Sequence, residues 1–216
     1  MKEILKEELN KLVKSREKII FKIEGISPLL LHNPSSMMGE LEMVEEKGDK
    51  KKKGSDIGVK RIPIPEEEAR QGLYIDKENN FYIPAICFHN CIANAAKGKR
   101  IGKVSAPSIV WGAINVYEEK CILIDPEKNK PLKDYEIDIR TVVVGFGKNS
   151  KRIIRARPKF LVWGCYVKFE YDWEVIDPKV ILQLMQIGGN FVGVGDYRPQ
   201  TRGPFGRFKV VEVYEE

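Results

Sequence analysis

Only two histidines and four cysteines occur in the 216 residues. Cys87, Cys91, Cys121 and Cys165 make no CxxC pair. With so few imidazoles, no zinc-ligand set of the usual spacing can be assembled. No apolar run is long enough to span a bilayer, and no secretory leader pattern is visible. These absences point to a reduced, cytoplasmic protein with no membrane partner, no metal and no cofactor. Cys87 and Cys91 stand four apart on a helical stretch, a common setting for buried free thiols.

What the chain does have is positive charge. Lys and Arg number 37 against 31 Asp and Glu, a formal net charge of +6. A basic balance favours nucleic acid or an acidic surface as partner. The same Lys-, Glu- and Ile-rich, Gln-poor composition also suits thermal adaptation, so composition leaves both readings open. The length suits one decorated domain or two very small ones.

Residues 1–18 read as an appended helix, with Leu5, Leu9, Leu12 and Val13 at helical spacing. Residues 19–216 read as one domain. Ile19 to Ile26 is a strand broken by Ser27-Pro28, and Leu29 to Leu31 is an apolar step behind it. Residues 35–65 form an insertion whose charged stretch holds too little apolar surface to order itself. It is either a solvated loop or a basic finger that orders on nucleic acid. A helix over Glu66 to Leu73 and a hairpin from Tyr74 to Pro84 follow. A helix then runs from Ala85 to Lys97, opened by Pro84 and closed near Gly98.

Strands are expected over Ser108 to Val116, Cys121 to Ile124, Tyr135 to Val144, Arg152 to Arg157 and Tyr166 to Val175. Asp177-Pro178 caps a last helix, which Gly188-Gly189-Asn190 ends. The final strand covers Lys209 to Tyr214. Reduced to its core, the order is β-α-β-β-α-β, an α+β, ferredoxin-like fold.

The connection between the last helix and the last strand concentrates the chemistry. Gly193, Gly195, Gly203 and Gly206 can bring backbone amides together as an anion nest. Arg198, Arg202 and Arg207 supply planar charged forks that match phosphate. Tyr197, Phe205 and Phe208 offer faces for stacking bases, although Phe205 also fits a core position. Lys148, Lys151, Arg152, Arg155 and Arg157 add cations on the preceding hairpin, with Arg155 and Arg157 on one strand face. Such groups are what sequence-independent backbone binding requires. Solvated arginines on a structural loop are the alternative.

Three features coincide in order: Gly25-Ile26-Ser27-Pro28-Leu29-Leu30, Tyr82-Ile83-Pro84-Ala85 leading into a helix, and Gly193-Val194-Gly195 with Gly203-Pro204-Phe205-Gly206-Arg207. Together they resemble the RAMP superfamily of CRISPR-associated RNA-binding proteins over most of residues 19–214. The chain departs from that pattern at Ala85, where the backbone-subunit branch has Gly. It also has His89 and Asn90 where that branch has a basic residue. The resemblance implies a ferredoxin-like domain holding single-stranded RNA by its backbone, in a homo-oligomer or a multi-subunit ribonucleoprotein of antiviral defence. The hairpin from Val143 to Arg157, or the lysine-rich insertion, would then wedge between bases. Members of the superfamily also occur alone in prophages and mobile elements.

Catalysis needs a base within reach of its proton. His32 is the weak candidate, and His89 is weaker still. The stretch from Asn33 to Leu41 has no Asp, whereas some backbone subunits of the resembled family carry a metal-dependent Asp there. Three functions therefore stand open. The reading taken is a non-catalytic subunit binding single-stranded RNA or ssDNA; the alternatives are a metal-independent processing endoribonuclease using His32 and a structural or interaction protein of a mobile element.

Overall fold

The computed structural model describes residues 16–34, 64–144 and 151–215. Most of the expected N-terminal helix, the insertion up to residue 63 and the turn at 145–150 with Lys148 lie outside them. The first strand starts earlier than the sequence suggested, because Arg16, Glu17 and Lys18 already pair with a neighbouring strand.

In chain order, β1 is Arg16–Gly25 and β2 Leu29–Leu30, followed by helix α1, Pro65–Gln71. Then come β3 (Tyr82–Pro84), α2 (Ile86–Ala95), the β4–β5 hairpin (Arg100–Ile101 and Val104–Ser105), α3 (Ala106–Ala113) and β6 (Ile114–Val116). Next are β7 (Lys120–Ile122), β8 (Ile124–Asp125) and β9 (Lys130–Pro131). The long hairpin strands β10 (Glu136–Val144) and β11 (Lys151–Phe160) lead to β12 (Gly164–Asp172), α4 (Pro178–Phe191) and β13 (Phe208–Glu215).

The main sheet holds β13, β1, β12 and β6 in that order, each antiparallel to its neighbour. α2 lies between β1 and β6 in the chain, and α4 between β12 and β13. The topology is therefore β-α-β-β-α-β with the ferredoxin-like strand order, and the fold is α+β. Alternation on β1 buries Ile19, Phe21 and Ile23 on the helix side. They meet Phe88 and Ile92 of α2, Ile181, Leu184 and Met185 of α4, and Val167 and Phe169 of β12 in one core. Each such side chain contributes roughly 1.5–3 kcal/mol.

Two expected elements differ. Ser108 to Val116 is helix as far as Ala113, not strand. Its buried residues Ala106, Val110 and Ala113 recur at helical spacing, and Pro107 sits in the first turn. The β-branched pair Ile109-Val110 mimics a strand without setting the structure. The last helix starts as expected, with Asp177 Oδ1 accepting the Lys179 amide at 2.7 Å. It does not end at Gly188-Gly189 but runs on to Phe191. A Cβ on Gly189 would overlap the Phe208 carbonyl oxygen, and one on Gly188 would press on the Cys91 sulfur. These glycines therefore let α4 lie close on α2 and β13.

A second sheet, β10–β11–β2, carries the hairpin. β2 covers only the Lys159–Phe160 end of β11. Farther along that edge stands Glu68 of α1, accepting the Ala156 amide at 3.0 Å and the Arg155 Nη1 proton at 3.1 Å. Such a carboxylate blocks further strand pairing there.

Candidate nucleic-acid interface

The connection from α4 to β13 folds back on itself. The Val194 amide donates to the Gly206 carbonyl at 2.9 Å, Gly206 to Pro28 at 2.8 Å, and Asp196 to Leu30 at 2.8 Å. Gly203 donates to Arg198 at 2.9 Å, and the Arg207 amide donates to Ser27 Oγ at 3.0 Å. The amides of Gly193, Gly203 and Gly206 are thus engaged within the protein, which corrects the expected anion nest. The glycines serve close packing instead. Gly206 has φ +68°, and a Cβ on it would overlap the Val194 carbonyl oxygen. A Cβ on Gly203 would overlap the Tyr197 carbonyl oxygen. The loop is consequently a rigid plate bonded to the chain segment after β1.

The cations on this plate are of two kinds. Arg202 and Arg207 are exposed. Arg198 is half-buried, its Nη1 donating to the Gly195 carbonyl at 3.0 Å. Its Nε and Nη2 both donate to Gln200 Oε1, at 3.2 and 3.0 Å. A guanidinium has five N–H donors, so two remain for a ligand. Among the described residues, no carboxylate pairs with Arg198, Arg202 or Arg207.

Arg198 stands where two hollows meet. One, of about 160 Å³, lies between α2 and the loop and is lined by Asn90, Asn94 and Gln200. The other, of about 230 Å³, is lined by His32, Tyr74 and Asp196. Both share Cys87, Gly195 and Arg198. The Tyr74 ring packs on Tyr82 with centroids 5.6 Å apart. Tyr82 borders a third hollow of about 350 Å³, with Lys120 on its rim. The first two meet at Arg198 as one track from Gln200 to His32, and the Tyr74–Tyr82 pair stands between it and the third.

No family model matches the sequence, and no curated protein matches it. Among solved structures, the crystal structure of Cmr6 from Pyrococcus furiosus matches with 13% identity over 91% of this chain and 99% of that one, at a TM-score of 0.49.

Two of the hairpin arginines, Arg155 and Arg157, are engaged within the protein. Arg155 pairs with Glu68 at 3.1 Å, with the two side chains 14% and 16% exposed. Arg157 Nε lies 2.9 Å from Asp196 Oδ2. Its N–H is not aimed at that oxygen and finds no acceptor, so the contact is an ion pair by distance and not a hydrogen bond. Both cations fasten the hairpin to α1 and to the glycine loop, a structural task their shared strand face did not disclose. Arg152 remains exposed. Of Lys151 only the backbone is described.

The aromatic residues divide. Phe205 and Phe208 are buried. Tyr197 is 38% exposed, with its ring 6.1 Å from that of Phe205. Arg140, held by Asp138 at 2.6 Å, lies 4.6 Å from the Phe205 ring and 5.8 Å from the Tyr197 ring.

Burial and the nearby Arg157 and Arg155 lower the pKa of His32, against Asp196 and Glu68. His89 is structural. Its Nε2 donates to the carbonyls of Ile114 at 2.9 Å and Val110 at 3.2 Å, tying α2 to α3. Burial lowers its pKa too. Burial raises the Cys87 thiol to about 11 and the Cys91 thiol to about 12. Both stay protonated and inert at neutral pH. Among the described residues, no three His, Cys, Asp or Glu side chains come together as metal ligands. None of their helices is long and apolar enough to cross a membrane.

Sequence reasoning missed Gln200, Asn90, Asn94 and Tyr74. The signal for Asn90 and Asn94 was present, since they fall on the same helix face as Cys87 and Cys91. Nothing local linked them to Gln200.

Proposed function

We propose that this chain is a non-catalytic subunit that grips the backbone of single-stranded nucleic acid, RNA in the first place, on the glycine loop. One observation carries the reading: Arg198, Arg202 and Arg207 lack carboxylate partners among the described residues, and Arg198 is pre-positioned at the meeting of two hollows. A guanidinium fixed by Gln200 and a carbonyl loses little freedom on taking a phosphate. The aromatic pair Tyr74–Tyr82 and the cation Lys120 extend the track in the way single-strand sites do. The resemblance to RAMP proteins points the same way, toward a CRISPR-type ribonucleoprotein. Leu161, Val162 and Ile26 are exposed apolar side chains that a neighbouring copy could cover.

The test is a salt titration of binding to a labelled single strand. The triple variant Arg198→Ala, Arg202→Ala, Arg207→Ala should bind more weakly, with the log–log salt slope smaller by about 2, from 0.7 per phosphate contact. An unchanged slope removes the loop from the site.

A second reading has its own observation. A depressed His32 pKa leaves a neutral base at pH 7 in a hollow shared with Arg198. That is the arrangement for metal-independent attack through a ribose 2′-hydroxyl. Cleavage that persists in EDTA and vanishes in His32→Ala would replace the non-catalytic reading.

A further inference from the structure

The smaller hollow, between α2 and the loop, is not built like a phosphate site throughout. Asn90 and Asn94 stand one helical turn apart and both line it. Asn94 Nδ2 donates to the Asn90 carbonyl at 2.7 Å, which fixes the amide and leaves its Oδ1 open. Gln200 Oε1 is engaged by Arg198, which leaves Nε2 open. These oxygen and nitrogen assignments follow from their partners, since only NH₂ can donate to a carbonyl and only oxygen can accept from a guanidinium. The Asn90 amide has no partner among the described residues. Cys91, Val192 and Val194 add apolar surface to a lining that is otherwise polar.

A phosphate seated against Asn94 would meet its open Oδ1, which repels it. A flat ring with apolar faces and a hydrogen-bonding edge fits instead. Open donors and acceptors in alternation, on amide side chains, are the complement of adenine, whose N6–H₂ donates beside an accepting N7; cytosine offers the same pair at N4 and N3, but its single ring lays less apolar face against Cys91, Val192 and Val194. Single-stranded RNA is read in this way, base by unstacked base.

We infer that the hollow between α2 and the glycine loop receives one unstacked nucleobase of the bound strand, adenine in preference to the pyrimidines, read by Asn90, Asn94 and Gln200. This rests on the strand-binding reading above. It adds that binding is selective at one position. Arg198, at the lip of the hollow, holds the adjoining phosphate while the amides sort the base.

The experiment is fluorescence anisotropy with three short labelled RNAs of equal length: all uridine, uridine with adenine at every third position, and uridine with cytosine there. The wild type should bind the adenine-bearing strand about tenfold more tightly than the other two. Asn90→Ala with Asn94→Ala should bind all three with the wild-type affinity for uridine. Asn90→Asp, at an exposed position that tolerates the change, should lose the preference as well, because it lacks the donor to N7. Equal wild-type binding of the three strands overturns the inference and leaves the strand-binding reading standing. So does a preference that survives in both variants. Failure to bind any strand at low salt overturns both.

Discussion

Two cation-rich regions among the described residues handle their charges differently. On the face of the main sheet turned away from the helices, Arg16 pairs with Glu170 at 3.1 Å and Lys22 with Glu212 at 2.9 Å. Lys168 pairs with Glu118 at 2.6 Å and Lys209 with Glu24 at 3.0 Å, while Lys18 lies over the Tyr117 ring. On the glycine loop, three arginines have no such partners among the described residues. A zipped face presents little net field to a polyanion, whereas unpaired guanidinium groups release counterions when they meet one. The open sheet face is where a ferredoxin-like RNA binder of the RRM type stacks bases, yet here it is tiled with ion pairs. The unpaired charge, and with it the candidate site, lies on the loop instead.

The contrast should break most severely at the glycines that shape the plate. Gly203→Ala would press a Cβ onto the Tyr197 carbonyl oxygen. It should cost about 3 kcal/mol in denaturant unfolding and weaken strand binding with it. Gly112, in α3, has nothing within 4 Å of the place a Cβ would take. Gly112→Ala should therefore raise stability by up to about 1 kcal/mol and leave binding alone. Equal effects of the two substitutions would mean that the plate's tight packing does not hold the loop.

Next in size is the loss of the three loop arginines, where the expected fall in salt slope is about 2. A single Gln200→Ala should reproduce part of the loss of affinity. Without Oε1 the Arg198 fork keeps only the Gly195 carbonyl and regains rotamer freedom. Affinity should fall while the slope stays near that of wild type, because the charge remains.

The ferredoxin-like order was legible because β1, α2, β12 and α4 each carry a readable period and a boundary signal at one end. Asp177-Pro178 is the best of these, a side-chain cap and a first-turn proline written next to each other. Ser108 to Val116 was misread because β-branched residues signal strand locally, while the packing of Ala106, Val110 and Ala113 decides for helix. The site was only half legible. The arginines and glycines of the loop stood out as a run, but what the glycines do depends on backbone contacts with Pro28 and Leu30, far away in sequence. The pairing of Arg157 with Asp196 and of Arg155 with Glu68 likewise joins distant segments, and no spacing rule reveals it. Composition showed the excess of cations without showing which of them were already neutralised.

A smaller effect separates the regions by pH. In the folded protein, burial holds the His32 pKa below its ordinary value of 6.5. Below pH 6.5 the unfolded chain therefore takes up a proton that the folded chain resists, and stability declines as pH falls toward the folded pKa. His89 acts in the same direction. A strand bound on the track would raise the His32 pKa, so binding takes up a proton and affinity increases on acidification below 6.5. One added charge near a phosphate is worth about 1 kcal/mol, or fivefold. His32→Gln should flatten this rise. A rise that persists in His32→Gln places the titrating group elsewhere.

The smallest expected effect is the most telling control. Lys22→Met and Lys168→Met together remove two cations from the sheet face. If net charge alone drew the strand, the salt slope would fall by about 1.4. If pairing decides, each lysine is already neutralised by Glu212 or Glu118, and the slope should not change. Stability should change little, as is usual for solvent-facing pairs. A slope that drops with these two lysines would put the strand on the sheet and leave the loop arginines as bystanders.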